Sequence, residues 1–145
     1  MERGPAGHGI GRARGGATTK VHLIVDARGR PLTFEVTEGQ RHDIVPAPAL
    51  VLRTRPRQLL AAKAYRTHDV RAGLAAMACD PVMPSSSSWI KPPAYDHERY
   101  KARAEIECTF SLLKQARRFA TRYEKTLRNY AAVVAIGGAL LWLRI

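Results

Sequence analysis

Residues 95–125, YDHERYKARAEIECTFSLLKQARRFATRYEK, decide how the chain folds. No proline or glycine interrupts them, and the pattern predicts a helix reaching Tyr123. Asp96 is placed to cap it, with Glu98 in the first turn, where negative charge suits the helix dipole. Ile106, Phe110 and Leu113 recur at i, i+4 and i+7, the spacing of one buried stripe. Glu107, Ser111, Lys114, Arg118 and Arg122 recur at the same spacing and make a second stripe. That stripe carries a carboxylate at one level and cations on the turns beyond it. A carboxylate that can hold a metal, beside cations that can hold phosphate, suits phosphoryl transfer on nucleic acid. A solvated charged helix face is the other reading of the same pattern.

Working outward, 145 residues fit one domain and can bury a core. The formal net charge of +12 favours a polyanion: DNA, RNA or an acidic membrane surface. Cys79 and Cys108 lack CxxC or HxxxH context and read as reduced, buried thiols of a cytoplasmic protein, outside any zinc or disulfide framework. Met1 is followed by Glu-Arg-Gly-Pro rather than by the apolar run of a secretory signal. The longest apolar run, residues 131–143, falls short of the roughly twenty residues a bilayer span needs, and so predicts a buried terminal helix.

Toward the N-terminus, residues 1–19 are rich in Gly and Arg and predict a flexible basic arm that either touches phosphates or is simply unstructured. The GHGIG within it is not a dinucleotide fingerprint, because no strand precedes it. Residues 21–25, a turn at 26–30, and the alternation of Leu32, Phe34 and Val36 predict a β-hairpin. Asp26 begins that turn, where an Asp serves local hydrogen bonds; metal ligation is the alternative role. His22 reads as a packing residue. Asp43 is placed to cap a helix over residues 44–53, residues 58–62 (QLLAA) read as a buried strand, and Thr67 as the cap of the next helix. Residues 81–83 make a last short strand, 85–93 a serine- and proline-rich linker, and 127–143 the final helix, with Trp142 and Leu143 expected to close the core. A hairpin followed by alternating helices and strands predicts an α/β protein with a mixed sheet.

The spacing Tyr100, two residues, Arg103, three residues, Glu107, six residues, Lys114 resembles the Tyr-Arg-Glu-Lys signature of bacterial insertion-sequence transposases of the acidic-triad (DDE) class, in the insertion-sequence-four and -five groups. RARGGATTK at 12–20 is similar to the RSRGGLTTK segment of these proteins, and Gly39-Gln40 with Asp43 matches their GQxxD. The resemblance runs from about Gly11 to the end. It implies a ribonuclease-H-like mixed sheet flanked by helices, here lacking its first strand, with a long C-terminal helical region. Residues 20–145 would form that partial catalytic domain. It also implies DNA transposition at the nucleoid: three carboxylates hold two Mg²⁺ or Mn²⁺ ions, water attacks at the ends of the element, and the freed 3′-hydroxyl attacks target DNA. By the match, Glu107 is the third acid and a metal ligand. Tyr100, Arg103 and Lys114 contact DNA, and Arg118 and Arg122 extend the phosphate track.

The chain departs from the pattern at the other two acids. The family reads LLADKxYD where residues 59–66 read LLAAKAYR, so Ala62 stands at the second acid and Arg66 at a later Asp. No Asp precedes Arg12, where the first acid belongs. Asp26, Asp69 and Asp80 are the candidate stand-ins. The linker, basic in related proteins, carries serines 85–88. A truncated piece that cuts no DNA on its own follows from these losses. The alternatives are a basic DNA-binding or regulatory remnant that inhibits or assembles with an intact transposase or with itself, and a relic reading frame.

Overall fold

A computed structural model describes residues 7–13, 16–85 and 88–143. The chain runs β1 (Gly11–Ala13), β2 (Gly16–Val25), β3 (Pro31–Glu38), α1 (Ala47–Thr54), β4 (Gln58–Leu60), a 3₁₀ turn (Lys63–Tyr65), α2 (His68–Ala76), β5 (Asp80–Val82), α3 (His97–Lys101), α4 (Ala104–Gln115), α5 (Arg117–Ala120) and α6 (Leu127–Leu143). The fold is mixed α/β with small sheets, and no helix among the described residues is long and apolar enough to cross a membrane.

The strands form two separate ladders. β2 pairs antiparallel with β3 in the register His22↔Glu35 and Leu23↔Phe34, and β1 pairs with only the first residues of β2. β4 and β5 form a parallel pair of their own, Gln58 opposite Asp80. Side chains of the hairpin alternate between two apolar clusters. Val21, Leu23, Phe34 and Val36 join Leu113, Phe119, Tyr130, Val134 and Leu141 beneath α4–α6. Ile24 joins Val51, Leu74, Cys79 and Met83 with Leu59 and Ala61 on the opposite side. There His22 is buried and its Nε2 lies 2.8 Å from the Thr37 hydroxyl. Burial pushes the His22 pKa down, with Asp43 and Glu35 opposing and Lys20 and Arg41 reinforcing the shift.

Several elements depart from the sequence expectation. The 95–125 stretch is broken into pieces: Ala102 and Arg103 interrupt it, and Ala116 turns extended at ψ 110°. The break lets Phe119 drop into the first cluster, where its carbonyl accepts from the Tyr130 hydroxyl at 3.0 Å. It also spares Lys114, Arg117 and Arg118 from stacking on successive turns. Asp43 does not cap α1, which starts beyond Pro46; its carboxylate pairs with Lys20 at 2.8 Å. Trp142 and Leu143 do not close the core. The buried register of α6 is Tyr130, Val134, Gly138 and Leu141, which leaves Leu143 82% exposed. Trp142 lies on the surface, its indole N–H donating to the Pro31 carbonyl at 2.7 Å beneath the Arg30 guanidinium. Cys79 is buried, but Cys108 is exposed on α4.

The arm is not free from Gly7 onward. Leu127 N–H donates to the Gly7 carbonyl, and residues 11–13 pair with 16–18. Positive φ at Gly7, Gly9 and Gly16 lets the chain double back there. The first six residues, Arg14 and Gly15, and Ser86 and Ser87 of the linker lie outside the described residues.

Candidate nucleic-acid interface

The 95–115 stretch is built as expected at its start. The Asp96 carboxylate caps α3 by accepting from the Arg99 amide at 3.0 Å, and Glu98 sits in the first turn. Arg103, at the joint between α3 and α4, is the hub. Its guanidinium lies 5.7 Å from the centre of the Tyr100 ring and donates to Glu107 Oε1 at 2.6 Å. Tyr100, Arg103 and Glu107 therefore form one contiguous group. The Glu107 side chain is 61% exposed and faces solvent rather than the core. A pair so exposed, at i and i+4, contributes only about 0.3–0.5 kcal/mol. A phosphate or a cation can therefore displace it at little cost. Lys114 follows on the same helix two turns later and is exposed, with no hydrogen bond or ion pair among the described residues.

Thr109, which the sequence reading passed over, fixes the height of α4 on the hairpin. It is 2% exposed, and its hydroxyl lies 2.7 Å from the Gly29 carbonyl and 2.9 Å from that of Glu105. Gly29 has φ +74°, and a Cβ there would meet the Thr109 hydroxyl at 2.8 Å. The available signal was a lone hydroxyl at position 109, within the face that Ile106, Phe110 and Leu113 bury.

Arg118 and Arg122 leave the track, because the helix ends before them. Arg118 remains 71% exposed and pairs at 3.0 Å with Glu124, whose own side chain is 6% exposed. Arg122 turns inward. It donates to the carbonyls of His8, Gly9 and Glu124 and to the Thr19 hydroxyl, and lies 5.2 Å from the centre of the Tyr130 ring. Burial pushes its pKa down, with Tyr130 and Glu124 opposing. Its expected phosphate contact is thereby corrected: the donors that a phosphate would take are held by backbone.

The strand end tells a different story. Ala62 follows β4, whose Leu59, with Ala61 and Tyr65 beyond it, packs in the second cluster, whereas α4 packs on β2 above the first. Of the candidate stand-ins, Asp26 is held in its turn by the amides of Arg28 and Arg30 and by the Arg30 guanidinium at 2.6 Å. Burial alone would raise its carboxyl, but those bonds outweigh it and hold the pKa below the usual carboxylate range. Asp80 accepts from Gln58 at the start of the β4–β5 ladder, the end opposite Ala62. Asp69 is exposed in the first turn of α2. A groove of about 270 Å³ between β3 and α6 is lined by apolar side chains such as Leu23, Phe34, Leu113 and Val134, and presents no titratable group.

A family model described as "Transposase DDE domain" matches residues 2–142. A Brucella ovis protein described as a transposase for insertion sequence element IS6501 is 39% identical over 132 residues, covering 88% of this chain and 99% of that protein. No solved structure matches the chain.

Proposed function

The chain belongs to the family of transposase DDE domains, and on that premise we propose that it serves DNA transposition of a bacterial insertion sequence by gripping DNA and contributing one acid. In this reading Glu107 is the third acid of the triad. Arg103 holds it in place and gives way to a phosphate, Tyr100 supports Arg103, and Lys114 takes a neighbouring phosphate. Arg118 is an outlying contact. The carrying observation is the Tyr100–Arg103–Glu107 group, assembled on an exposed surface with the open cation Lys114 beyond it.

Members of this family use divalent metal ions, Mg²⁺ or Mn²⁺. The residues present do not fit a two-metal site. Ala62 offers no oxygen, Asp26 and Asp80 are committed to Arg30 and Gln58, and no three His, Cys, Asp or Glu side chains converge among the described residues. The chain alone therefore does not cut. The remaining acids come from outside it, from an intact transposase or another copy. Residues 20–145 then belong to a ribonuclease-H-like domain. The split into a β2–β3 ladder and a β4–β5 ladder supports that reading.

Binding to duplex carrying an insertion-sequence end, followed by fluorescence anisotropy, tests the grip. Affinity should fall steeply with salt as counterions are released. Lys114→Ala should weaken binding across sequences and reduce the salt slope by about one. Salt-insensitive binding overturns the grip. Mg²⁺- or Mn²⁺-dependent nicking that Glu107→Gln abolishes overturns the statement that the chain alone does not cut.

A further inference from the structure

α6 is apolar on every side. Residues 131–143 carry no charged side chain, whereas every other α-helix carries at least one Arg or Lys. A helix that is apolar all round belongs in an interior. Yet α6 buries only the side of Tyr130, Val134, Gly138 and Leu141. The opposite side is open: Ile136 is 62% exposed and Leu140 56%, with Leu143 beyond them. At 17 residues α6 is shorter than the roughly twenty a bilayer span needs, so crossing a membrane does not account for the bare side.

The bare side has relief. Ile136, Leu140 and Leu143 recur at i, i+4 and i+7 and form a ridge. Ala135 and Ala139 lie beside that ridge. With Leu32 of β3 they border the groove of about 270 Å³, whose walls reach down to Leu113 and Val134. Ridge and groove therefore share one helix, at the same level along it.

Three properties select what covers this face. The first is shape: a two-fold axis running along α6 sets Ile136 of one copy between Ala135 and Ala139 of the other, and does the same in reverse, as an isologous contact requires. The second is charge. Molecules of net charge +12 repel one another, and residues 129–143 are the stretch of exposed helix where approach sets no cation against a cation. Arg30, at the rim beside Trp142, is already neutralised by Asp26 at 2.6 Å. The third is size. The bare side exposes on the order of 600 Å² per copy, the upper end of what a monomer shows and close to the roughly 800 Å² that each partner gives a standard interface. We propose that this face joins two copies of the chain, the Ile136–Leu140–Leu143 ridge of each seated in the β3–α6 groove of the other. The contact uses no residue of the Tyr100–Arg103–Glu107 group, so it stands or falls apart from the DNA-gripping reading.

Sedimentation velocity of the full chain over a concentration series tests this. The chain should pass from monomer to dimer, and added salt should tighten the dimer by screening the repulsion between copies, the reverse of its effect on DNA binding. Ile136→Glu on the ridge and Ala139→Arg in the groove should each raise the dissociation constant at least about thirtyfold. Both positions are exposed, so urea unfolding of the monomers should be preserved; Leu143→Glu repeats the ridge test at the helix end. Leu52→Glu, on the exposed side of α1, should leave the dimer intact. Mixing Ile136→Glu with Ala139→Arg should restore a mixed dimer, because one ridge–groove contact then pairs Glu with Arg and the other is unaltered. The proposal is overturned if the chain stays monomeric at every concentration, if the ridge and groove variants dimerise as the natural chain does, or if their mixture stays monomeric. It is also overturned if the monomer instead sediments with phosphatidylserine vesicles and Ile136→Glu abolishes that, which would assign the face to a lipid surface.

Discussion

The two apolar clusters flanking the hairpin are unequal. The first lies under the 12-residue α4 and the 17-residue α6, with side chains from β2, β3, α5 and the helices interlocked around Val134 and Leu113. The second is closed by α1, α2 and two three-residue strands, and Ile24 is the hairpin residue that packs into it. The helix carrying Glu107 therefore stands on the well-built side, and the strand end at Ala62 stands on the thin side. Local free energy of opening follows the density of buried apolar contact. The contrast teaches that the Tyr100–Arg103–Glu107 group can stay rigid while the half around Ala62 opens on its own.

The largest expected effect comes from truncating each cluster. Leu113→Ala should cost about 2–5 kcal/mol of global stability in urea unfolding. Leu74→Ala, equally buried, should instead accelerate amide exchange in β4, β5 and α2 while leaving α6 protected. Equal global losses and uniform exchange would break the comparison. Next, Thr109→Val leaves the Gly29 carbonyl without its partner and should cost about 1–3 kcal/mol, with faster exchange at residues 26–30. No change there would mean that the turn does not hold α4. A pH series sharpens the contrast further. The folded state holds His22 neutral by burial, so its pKa lies below that of the unfolded chain. That contribution to stability is complete above the unfolded value of about 6.5 and declines as pH falls through the lowered folded value. Unfolding at pH 7.5 and 5.5 should show this loss, and His22→Asn should flatten it. The smallest effect belongs to the surface: Glu98→Ala breaks a pair with Lys101 whose side chains are 80% and 72% exposed, and should shift stability by less than about 0.5 kcal/mol.

Much of this fold was legible because its signals are local. The Asp96 and Thr67 caps, the 26–30 turn and the apolar length of α6 each depend on a few neighbouring residues. The break at Ala116 was not legible: nothing in residues 114–118 disfavours a helix, and Phe119 leaves the helical path because Tyr130 and the first cluster receive it. Arg122 was misread for the same reason. Its partners at His8, Gly9 and Thr19 lie more than a hundred residues away, and helical spacing carries no information about them. At the site, the i, i+3 and i+4 relations of Tyr100, Arg103 and Glu107 were readable directly. That Ala62 offers no oxygen was readable as chemistry, while the membership of α4 and β4 in different clusters came only from topology.

Arg122 has a further consequence for how electrostatics should be measured here. The far field of the molecule includes it, so diffusional capture of a polyanion responds to the full formal charge of +12. Ion displacement at contact does not include it, because its guanidinium is already occupied by main-chain oxygens. The ionic-strength dependence of the association rate and that of the equilibrium constant will thus report different numbers of cations, and the gap between them is a direct reading of how many positive side chains the fold has kept for itself.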